Sequence, residues 1–419
     1  MAGAVLAIGL LSSCSAPGES PTPDGQEPTT ASAASEPAAT GEPAPSPGTD
    51  TATPEPTTPE PTTPEPTPGE GPPCDADRCF SVAATGDLLI HPGLWEQAAA
   101  DGEAAGTGDL DFEPLLAGQR GYLDQADLGI CHMETPVALP EGPFSGYPQF
   151  NVPPQILDAA RDVGYDACTT ASNHTIDAGT EGLNRTLDVL DGLGLEHTGS
   201  YADEESSGDV MILETPAARV AVIQATYGLN GLIPEQPWQV DLIDAAVMTE
   251  KARQARDEGA DVVIAVIHAG DEYATVPNAQ QVEVAHALAD SGEVDFIYGH
   301  HTHSVLPIEK YNDTWIVYGL GNGVSELSPT YAVNNEGLMV RAQFAQDDGG
   351  DWTVSDLAWV PSIIVADPYR WCALAPEQPA GTCTAPDREA EVSGRIAQVV
   401  DTFGAVDDGA HLWDLTDDQ

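Results

Sequence analysis

The chain has 419 residues, of which 68 are acidic and 13 are basic, so its formal net charge at pH 7 is −55. This length suits one large domain with appendages, or two domains. A chain with so few cations has no basic stripe to neutralise phosphates, which argues against a nucleic-acid partner. We interpret the negative charge as an adaptation for solubility.

The first 14 residues are typical of a bacterial lipoprotein signal. The apolar run 4–11 is too short to cross a bilayer as a helix but suits the core of a signal peptide. The following LSSC resembles a lipobox, in which the cysteine becomes the lipidated first residue of the mature protein. The sequence departs from the usual signal because no Lys or Arg precedes Arg78. We predict lipidation at Cys14 and anchoring to the outer face of the cell membrane; a cleaved secretory signal with an incidental cysteine is the alternative.

Residues 15–73 form a Pro-, Thr- and Glu-rich segment that contains the repeat TPEPTTPEPTTPEPTPGEG. The segment lacks the apolar surface needed to offset its chain entropy, and proline favours an extended backbone. The sequence therefore predicts a disordered, solvated linker between the membrane anchor and a folded region.

Six cysteines follow this linker, and an even number in an oxidising compartment indicates disulfides. Two pairs are close enough in sequence to form loop clips: Cys74 with Cys79, and Cys372 with Cys383. Cys131 and Cys168 each lie in an apolar, strand-like run. They either bridge neighbouring strands or remain free buried thiols, and the sequence leaves both open.

From residue 80 onward, apolar runs alternate with amphipathic stretches. Predicted strands lie at 80–86, 127–131, 165–171, 210–213, 218–225, 261–267, 294–298, 304–310, 314–318, 337–344 and 352–360. Predicted helices lie at 153–163, 180–193, 241–258, 278–291 and 387–402, and a loop is predicted at 372–386. This alternation predicts one α/β domain with mixed sheets over 74–365, on which a C-terminal extension, 366–419, packs.

Five of the predicted loops begin with residues of the kind that bind metals. The residues are Asp87, the pair His132 and Glu134, the pair Asn173 and His174, His268, and the cluster His300, His301 and His303. Side chains at the carboxyl ends of strands converge in α/β sheets. Mixed oxygen and imidazole ligands suit Mn, Fe or Zn, and their number makes a two-metal site plausible. Taken singly, Asp87 is better explained as a helix cap and His268 as a hydrogen-bonded interior histidine. The joint occurrence of five such loops favours a metal site instead.

Several motifs, in this order, resemble the CapA-like family of poly-gamma-glutamate capsule biosynthesis, within the calcineurin-like metallophosphoesterase superfamily. The motifs are ATGDLLIHP, HMETP, SNHTIDAGTEGL, HAGDEY and GHHTHSVLPIEKYNDTWIVYGLGN. The resemblance covers residues 80 to about 360. It implies a metallophosphoesterase-like sandwich of two mixed β-sheets flanked by helices, with two divalent metal ions at the strand ends.

The resemblance also assigns roles to residues of this sequence. It implies metal ligands at Asp87, Glu134, Asn173, His268, His301 and His303. It implies a catalytic histidine at His174. Four further residues are expected to support the ligands: His132, His300, Asp177 and Asn322. We expect His300 to tolerate replacement better than its two neighbours in the cluster.

Three positions depart from the family pattern. His132 stands where Asn is usual and offers an additional ligand, and Ala269 stands where Trp is usual. Leu89 occupies the place of a histidine in mainstream phosphoesterases, which predicts that one metal is held more weakly.

The resemblance implies hydrolysis of phosphomonoesters or phosphodiesters at the cell surface by a metal-dependent enzyme of capsule synthesis. The alternative is a non-enzymatic factor that binds or exports an anionic capsule polymer through its metals. Partners would accordingly be a phosphoester substrate or an anionic polymer, together with membrane proteins of capsule synthesis.

Overall fold

The structure is a computed structural model that describes residues 74, 76–327, 332–376 and 378–415. The predictions for the signal peptide, for lipidation at Cys14 and for the linker 15–73 lie outside these residues. Among the helices that are described, none is both long and apolar enough to cross a membrane.

The strands, numbered β1 to β15 in chain order, are Cys79–Leu88, Leu128–Met133, Ala167–Thr169, Glu196–Thr198, Met211–Glu214, Arg219–Thr226, Val262–His268, Phe296–His300, Ile308–Tyr311, Thr314–Val317, Asn322–Val324, Glu336–Gln346, Trp352–Val365, Arg370–Ala373 and His411–Leu412. The helices α1 to α8 are Pro92–Ala105, Glu113–Leu116, Arg120–Leu123, Gln155–Val163, Gly179–Leu193, Ala245–Asp257, Ala279–Asp290 and Pro386–Val400.

These strands form two mixed sheets. The first follows the order β14-β13-β12-β1-β2-β3-β4, with β11 also pairing with β1 and β15 with β13. Its β1 to β4 are parallel, and β12, β13 and β14 add antiparallel neighbours. The second sheet follows the order β5-β6-β7-β8-β10-β9, in which β6, β7, β8 and β10 are parallel. The arrangement confirms the predicted fold class.

The core consists of three apolar layers that alternate with the sheets. Along β1, Phe80 and Val82 point into the layer between the sheets, whereas Ala83 points into the layer under helices α1 to α5. Along β7, Ile264 faces the same central layer and Val263 faces helices α6 and α7. Because successive side chains of a strand point to opposite faces, β7 must be apolar throughout to lie between two layers.

Many element boundaries differ from the predictions by a few residues, and two of the differences have a clear physical reason. Helix α6 begins at Ala245 rather than at residue 241, because the Asp244 side chain accepts hydrogen bonds from the N–H groups of Ala246 and Val247 and so caps the helix. The predicted loop 372–386 gives its first two residues to β14, which pairs with β13.

The C-terminal extension completes the first sheet. Strands β14 and β15 both pair with β13, and α8 contributes Val392, Ile396 and Val400 to the layer between the sheets. Residues 366–415 therefore share the hydrophobic core of the preceding residues.

Disulfides join Cys74 to Cys79, Cys131 to Cys168, and Cys372 to Cys383. Cys131 and Cys168 are register partners on the neighbouring strands β2 and β3. Of the two possibilities that the sequence left open for them, the structure has the bridge between strands.

Candidate metal centre

The carboxyl ends of parallel strands from both sheets meet at one place. Asp87 lies near the end of β1, and Glu134 follows β2. Asn173 follows β3, His268 ends β7 and His300 ends β8. The structure therefore brings together side chains from all five predicted ligand loops, which are separated widely in sequence.

Two glycines determine how β1 presents Asp87. A Cβ atom at Gly86 would lie 2.2 Å from the carbonyl oxygen of Gly321, so only glycine allows this approach. Gly321 itself has a positive φ of 67°, and its carbonyl accepts a hydrogen bond of 3.1 Å from the N–H of Asp87. The pairing of β1 with β2 shifts register between Ala84 and Asp87. The TGD and GLGN motifs thus fix one another's backbone.

The carboxylate of Asp87 is fully buried and is bound by the histidine cluster. Its Oδ1 lies 2.6 Å from His300 Nδ1, and its Oδ2 accepts the backbone N–H of His301 at 3.2 Å. His303 Nδ1 lies 3.3 Å from Oδ2. Burial alone would raise the pKa of Asp87, but the hydrogen bonds from His300 and His303 hold that pKa well below its usual value. Asp87 is therefore a carboxylate at neutral pH.

Glu134 is a second buried carboxyl group, and neither of its oxygens has a hydrogen-bond partner. The histidine nitrogens that flank Oε1 are His303 Nε2 at 3.8 Å and His268 Nε2 at 4.0 Å. Burial raises the pKa of Glu134 well above its usual value. Buried polar atoms without partners are costly and rare, so these two oxygens fit a site for a cation.

Next to Glu134, a series of polar contacts links side chains of the two sheets. His268 Nε2 lies 2.7 Å from Asn173 Oδ1, and His268 Nδ1 lies 2.9 Å from His132 Nε2. Burial lowers the pKa of both histidines well below the usual value. Both imidazoles are therefore neutral at pH 7, which is the form that binds metals.

Three groups of ligand atoms are compact enough to hold a divalent ion. Within each group, the atoms lie within 4.8 Å of one another and the residues are buried: Asp87 with His132 and His268, Glu134 with His268 and His301, and Asp87 with Glu134 and His303. The groups share members, so the residues form one continuous site. Carboxylate and imidazole together suit Mn, Fe or Zn, and the residues present fit such ions.

His301 and His303 are held in an unusual backbone conformation. Their φ angles are 87° and 50°, in the left-handed region that few non-glycine residues adopt. Such residues cost about 1–3 kcal/mol each and cluster at functional sites. The Nδ1 atom of His301 is buried without a hydrogen-bond partner, and burial lowers the pKa of His301 to about 3.

The pKa of His303 moves in the opposite direction, to about 9. Burial lowers it, but the charges of Glu134 and Asp87 and the hydrogen bond to Asp87 raise it by more. His303 would therefore lose a proton on binding a metal ion near neutral pH.

His174 lies at the edge of the site and faces a cavity of about 280 Å³. Its Nδ1 lies 2.6 Å from Asp177 Oδ2, which also accepts the backbone N–H of Phe150 at 2.9 Å. The carboxylate fixes the orientation of the imidazole and leaves Nε2 as the nitrogen available for chemistry.

The remaining residues predicted to support the ligands also lie here. Asn322 Oδ1 is 3.0 Å from His303 Nδ1, and the Asn322 amide donates to the carbonyl of Asn334. The ring of His132 stacks on that of His300, with centroids 4.2 Å apart. We revise the expectation that His300 tolerates replacement, because its ring is buried and bonds directly to Asp87.

Sequence reasoning missed Gln224, which lies on β6 and whose Nε2 is 3.1 Å from His132 Nδ1. A signal was present, because Gln224 is a polar residue inside the apolar run VAVIQAT. Leu89 and Ala269, which depart from the family pattern, are both buried in apolar layers. Their side chains have no atom that could bind a metal.

The family model described as "Bacterial capsule synthesis protein PGA_cap" matches residues 81–327. This chain belongs to the PGA_cap family. The match includes every residue of the candidate site described above, from Asp87 to Asn322. The CapA-like resemblance of the sequence is thereby confirmed.

Two curated proteins with capsule-related names are moderately similar to this chain. The PGA biosynthesis protein CapA of Bacillus subtilis is 29% identical over 175 residues, which are 39% of this chain and 43% of that protein. The capsule biosynthesis protein CapA of Bacillus anthracis is 26% identical over 212 residues, 48% of this chain and 51% of that protein. The alignments span about half the length of these relatives.

Solved structures of two other proteins resemble the fold of this chain. The calcineurin-like phosphoesterase YfkN from Bacillus subtilis has a TM-score of 0.41 and 15% identity, and the match covers 77% of this chain and 97% of that chain. The NAD nucleotidase of Haemophilus influenzae has a TM-score of 0.43 and 13% identity, covering 75% and 62%. Both likenesses concern the fold alone.

Proposed function

We propose that this PGA_cap protein is a metal-dependent phosphoester hydrolase that acts in capsule polymer synthesis. The observation that carries the proposal is the environment of Glu134. Its carboxyl group is fully buried with both oxygens unpartnered, between two histidines and beside a second buried carboxylate, Asp87. A site of this composition is well suited to divalent cations and poorly suited to a purely structural role.

Six residues would hold the metal: Asp87, Glu134, Asn173, His268, His301 and His303. Two ions of Mn, Fe or Zn are proposed, in keeping with the overlapping groups of ligand atoms. Bound ions would polarise a phosphoryl oxygen and lower the pKa of water.

The protein's own contribution to the chemistry lies in His174. Asp177 fixes the ring through Nδ1, so that Nε2 can exchange a proton with the leaving-group oxygen of a substrate in the cavity. The Phe150 ring meets the His174 ring edge-on, with centroids 4.9 Å apart, and limits its rotation.

The test measures metal content and turnover of bis(nitrophenyl) phosphate for the wild type and for His303→Ala. We expect the wild type to retain metal and to hydrolyse the ester, and His303→Ala to lose both. His286→Ala is the matched control, because His286 is a half-buried histidine paired with Glu309 outside the site.

Two results would contradict the proposal. Protein that takes up no divalent metal would refute the metal centre itself. Tightly bound metal without turnover of any phosphoester would refute hydrolysis and favour the alternative, a metal-dependent factor that binds or exports an anionic capsule polymer.

We also propose that the domain is exported and tethered to the outer face of the membrane through lipidated Cys14. The three disulfides support an oxidising compartment, where such bonds persist. Fatty-acid labelling should disappear in Cys14→Ser, and labelling that persists in this variant would refute the anchor.

A further inference from the structure

Almost all of the Lys and Arg side chains of this protein form ion pairs with neighbouring carboxylates. All 13 Lys and Arg residues lie in the described part of the chain. Each of them except Lys310 forms an ion pair with Asp or Glu. Lys310 lies over the Trp315 ring, 5.1 Å from its centroid. Apart from Lys310, the positively charged side chains are therefore already paired with carboxylates before any ligand arrives.

The cavity beside the metal centre, which His174 faces, likewise offers no unpaired positive charge among its described lining residues. Its lining includes the buried residues His174 and Asn173 and the exposed residues Gln149 and Asn230. Tyr147 and Leu232 give it an apolar face, and the Tyr147 side chain is 78% exposed. No Lys or Arg is among the described residues that line it.

The lining of the cavity instead contains two carboxylates, of which one is exposed. Glu272 is exposed in the loop that follows β7, and it lines the cavity together with Asp177. Asp177 is already bound to His174, so Glu272 is the carboxylate that faces an incoming ligand.

We infer that the substrate carries its negative charge only on the phosphoryl group that reaches the metal centre, and that its remaining ester group is uncharged or cationic. This inference rests on the proposed phosphoester hydrolysis. Glu272 is the residue that sets the preference. The exposed Tyr147 and the amides of Gln149 and Asn230 would contact an organic group with polar atoms but no net negative charge.

Substrates with several anionic groups are disfavoured by the same geometry. A nucleoside polyphosphate or a polycarboxylate chain would place additional negative charge in a cavity lined by Glu272, with no cation in the lining to offset it. A negative charge about 4 Å from Glu272 would cost about 1 to 4 kcal/mol, which reduces affinity about fivefold or more.

The experiment compares three ethyl nitrophenyl phosphates that share the same leaving group and the same phosphoryl charge. The ethyl group is unsubstituted, or carries a trimethylammonium or a carboxylate group. We expect kcat/KM to fall in the order cationic, neutral, anionic, with about tenfold or more between the first and the last. In Glu272→Gln the ratio between the cationic and anionic esters should fall at least about threefold.

A control variant and a binding measurement separate this inference from the proposed activity. Glu283→Gln removes an exposed carboxylate on α7, outside the cavity lining, and should leave the ratio unchanged. Dissociation constants of the three matching ethyl phosphonates, measured on metal-loaded protein, should follow the same order without any turnover.

The outcomes are distinct. Phosphonates that bind in the expected order while no ester is hydrolysed would refute the hydrolase and leave the charge preference standing. Equal affinity for all three, tighter binding of the anionic compound, or no binding of any of them would overturn the inference. A ratio that stays unchanged in Glu272→Gln would overturn the role of Glu272.

Discussion

His300 holds the Asp87 carboxylate from inside the sandwich. The imidazole is 1% exposed, bonds to Asp87 through Nδ1 at 2.6 Å and stacks on His132. Because it fixes both the orientation and the ionised state of Asp87, we expect it to control metal affinity.

Replacing His300 tests that control. His300→Ala should weaken metal binding about 10- to 100-fold, because Asp87 loses the partner that orients it. Titration with Zn²⁺ or Mn²⁺ measures the change, and His300→Gln, which retains a donor, should recover part of it. Equal metal affinity in His300→Ala and the wild type would show that Asp87 needs no such partner.

Asp177 acts on the reaction through His174 and not through the metal. Asp177→Asn still offers an oxygen to the Phe150 N–H but no longer stabilises a positively charged imidazole. We expect kcat to fall at least about tenfold while the metal content stays as in the wild type. A loss of metal in Asp177→Asn would contradict this division of roles.

At the scale of elements, the Cys131–Cys168 disulfide ties together two strands that feed the site. It joins β2 to β3 immediately before His132 and Thr169, which are also register partners. Both sulfur-bearing side chains are buried. The bridge therefore stabilises the part of the first sheet from which Glu134 and Asn173 emerge.

Removing this disulfide should cost more than removing the N-terminal one. The sequence separation is 37 residues for Cys131–Cys168 and 5 for Cys74–Cys79, and the loss of unfolded-state entropy grows with loop length. We expect the double Ala variant at 131 and 168 to lose about 3–4 kcal/mol of unfolding free energy. Urea denaturation of both double variants makes the comparison, and equal losses would contradict the expectation.

Strand β15 is attached to β13 partly by a pair of ionisable groups. His411 Nε2 lies 2.7 Å from Asp356 Oδ1. The hydrogen bond to Asp356 raises the pKa of His411. Burial alone would raise the pKa of Asp356, but the hydrogen bond and charge of His411 lower it.

The signs of these shifts define a pH window. The raised pKa of His411 contributes stability that is complete below its unfolded value of about 6.5 and is lost as pH rises through the folded pKa. The lowered pKa of Asp356 contributes stability above its unfolded value of about 3.9, which is lost at lower pH. His411→Gln should therefore lower Tm more at about pH 5.5 than at about pH 8.5. An equal decrease at both pH values would contradict the assignment.

The hydrophobic pattern of the sequence predicted the long, apolar strands and helices. Several short strands form only because they pair with a neighbouring strand, so the pattern did not predict them. The run DVVIAVI predicts β7 because it is apolar on both sides. The short β14 could not be predicted, because Arg370–Ala373 becomes a strand only through pairing with β13. At the site, residue types and order predicted which loops converge. They could not show that His300, rather than its neighbours, holds Asp87 at 2.6 Å.

At the scale of the whole molecule, negative charge dominates. The 68 acidic residues greatly outnumber the cations, and only ten of them lie in the linker 15–73. Self-repulsion of this kind destabilises a compact state, and salt screens it. The folded region carries most of this negative charge, and the candidate metal centre contains the buried carboxyl groups of Asp87 and Glu134. Bound divalent ions would supply positive charge at that centre.

Salt and metal should therefore stabilise the protein independently. We expect Tm to rise when ionic strength increases to about 0.15 M, because the screening length falls to about 8 Å. Saturating divalent metal should add about 2.7 kcal/mol of stability at a hundred times its dissociation constant. Thermal unfolding in NaCl, with and without EDTA, measures both effects. A Tm that falls with salt, or that EDTA leaves unchanged in metal-loaded protein, would contradict them.

The central position of β1 in the first sheet affects how the chain can fold during synthesis. Among the strands in the described residues β1 is synthesised first, yet its antiparallel neighbour β12 begins only at Glu336. Until that segment emerges from the ribosome, β1 has an open edge capable of pairing with other chains. Asp87 and Gly321 likewise meet only late. Pairing over such sequence distances is slow, so the nascent chain must stay soluble with this edge of β1 unpaired for most of its synthesis.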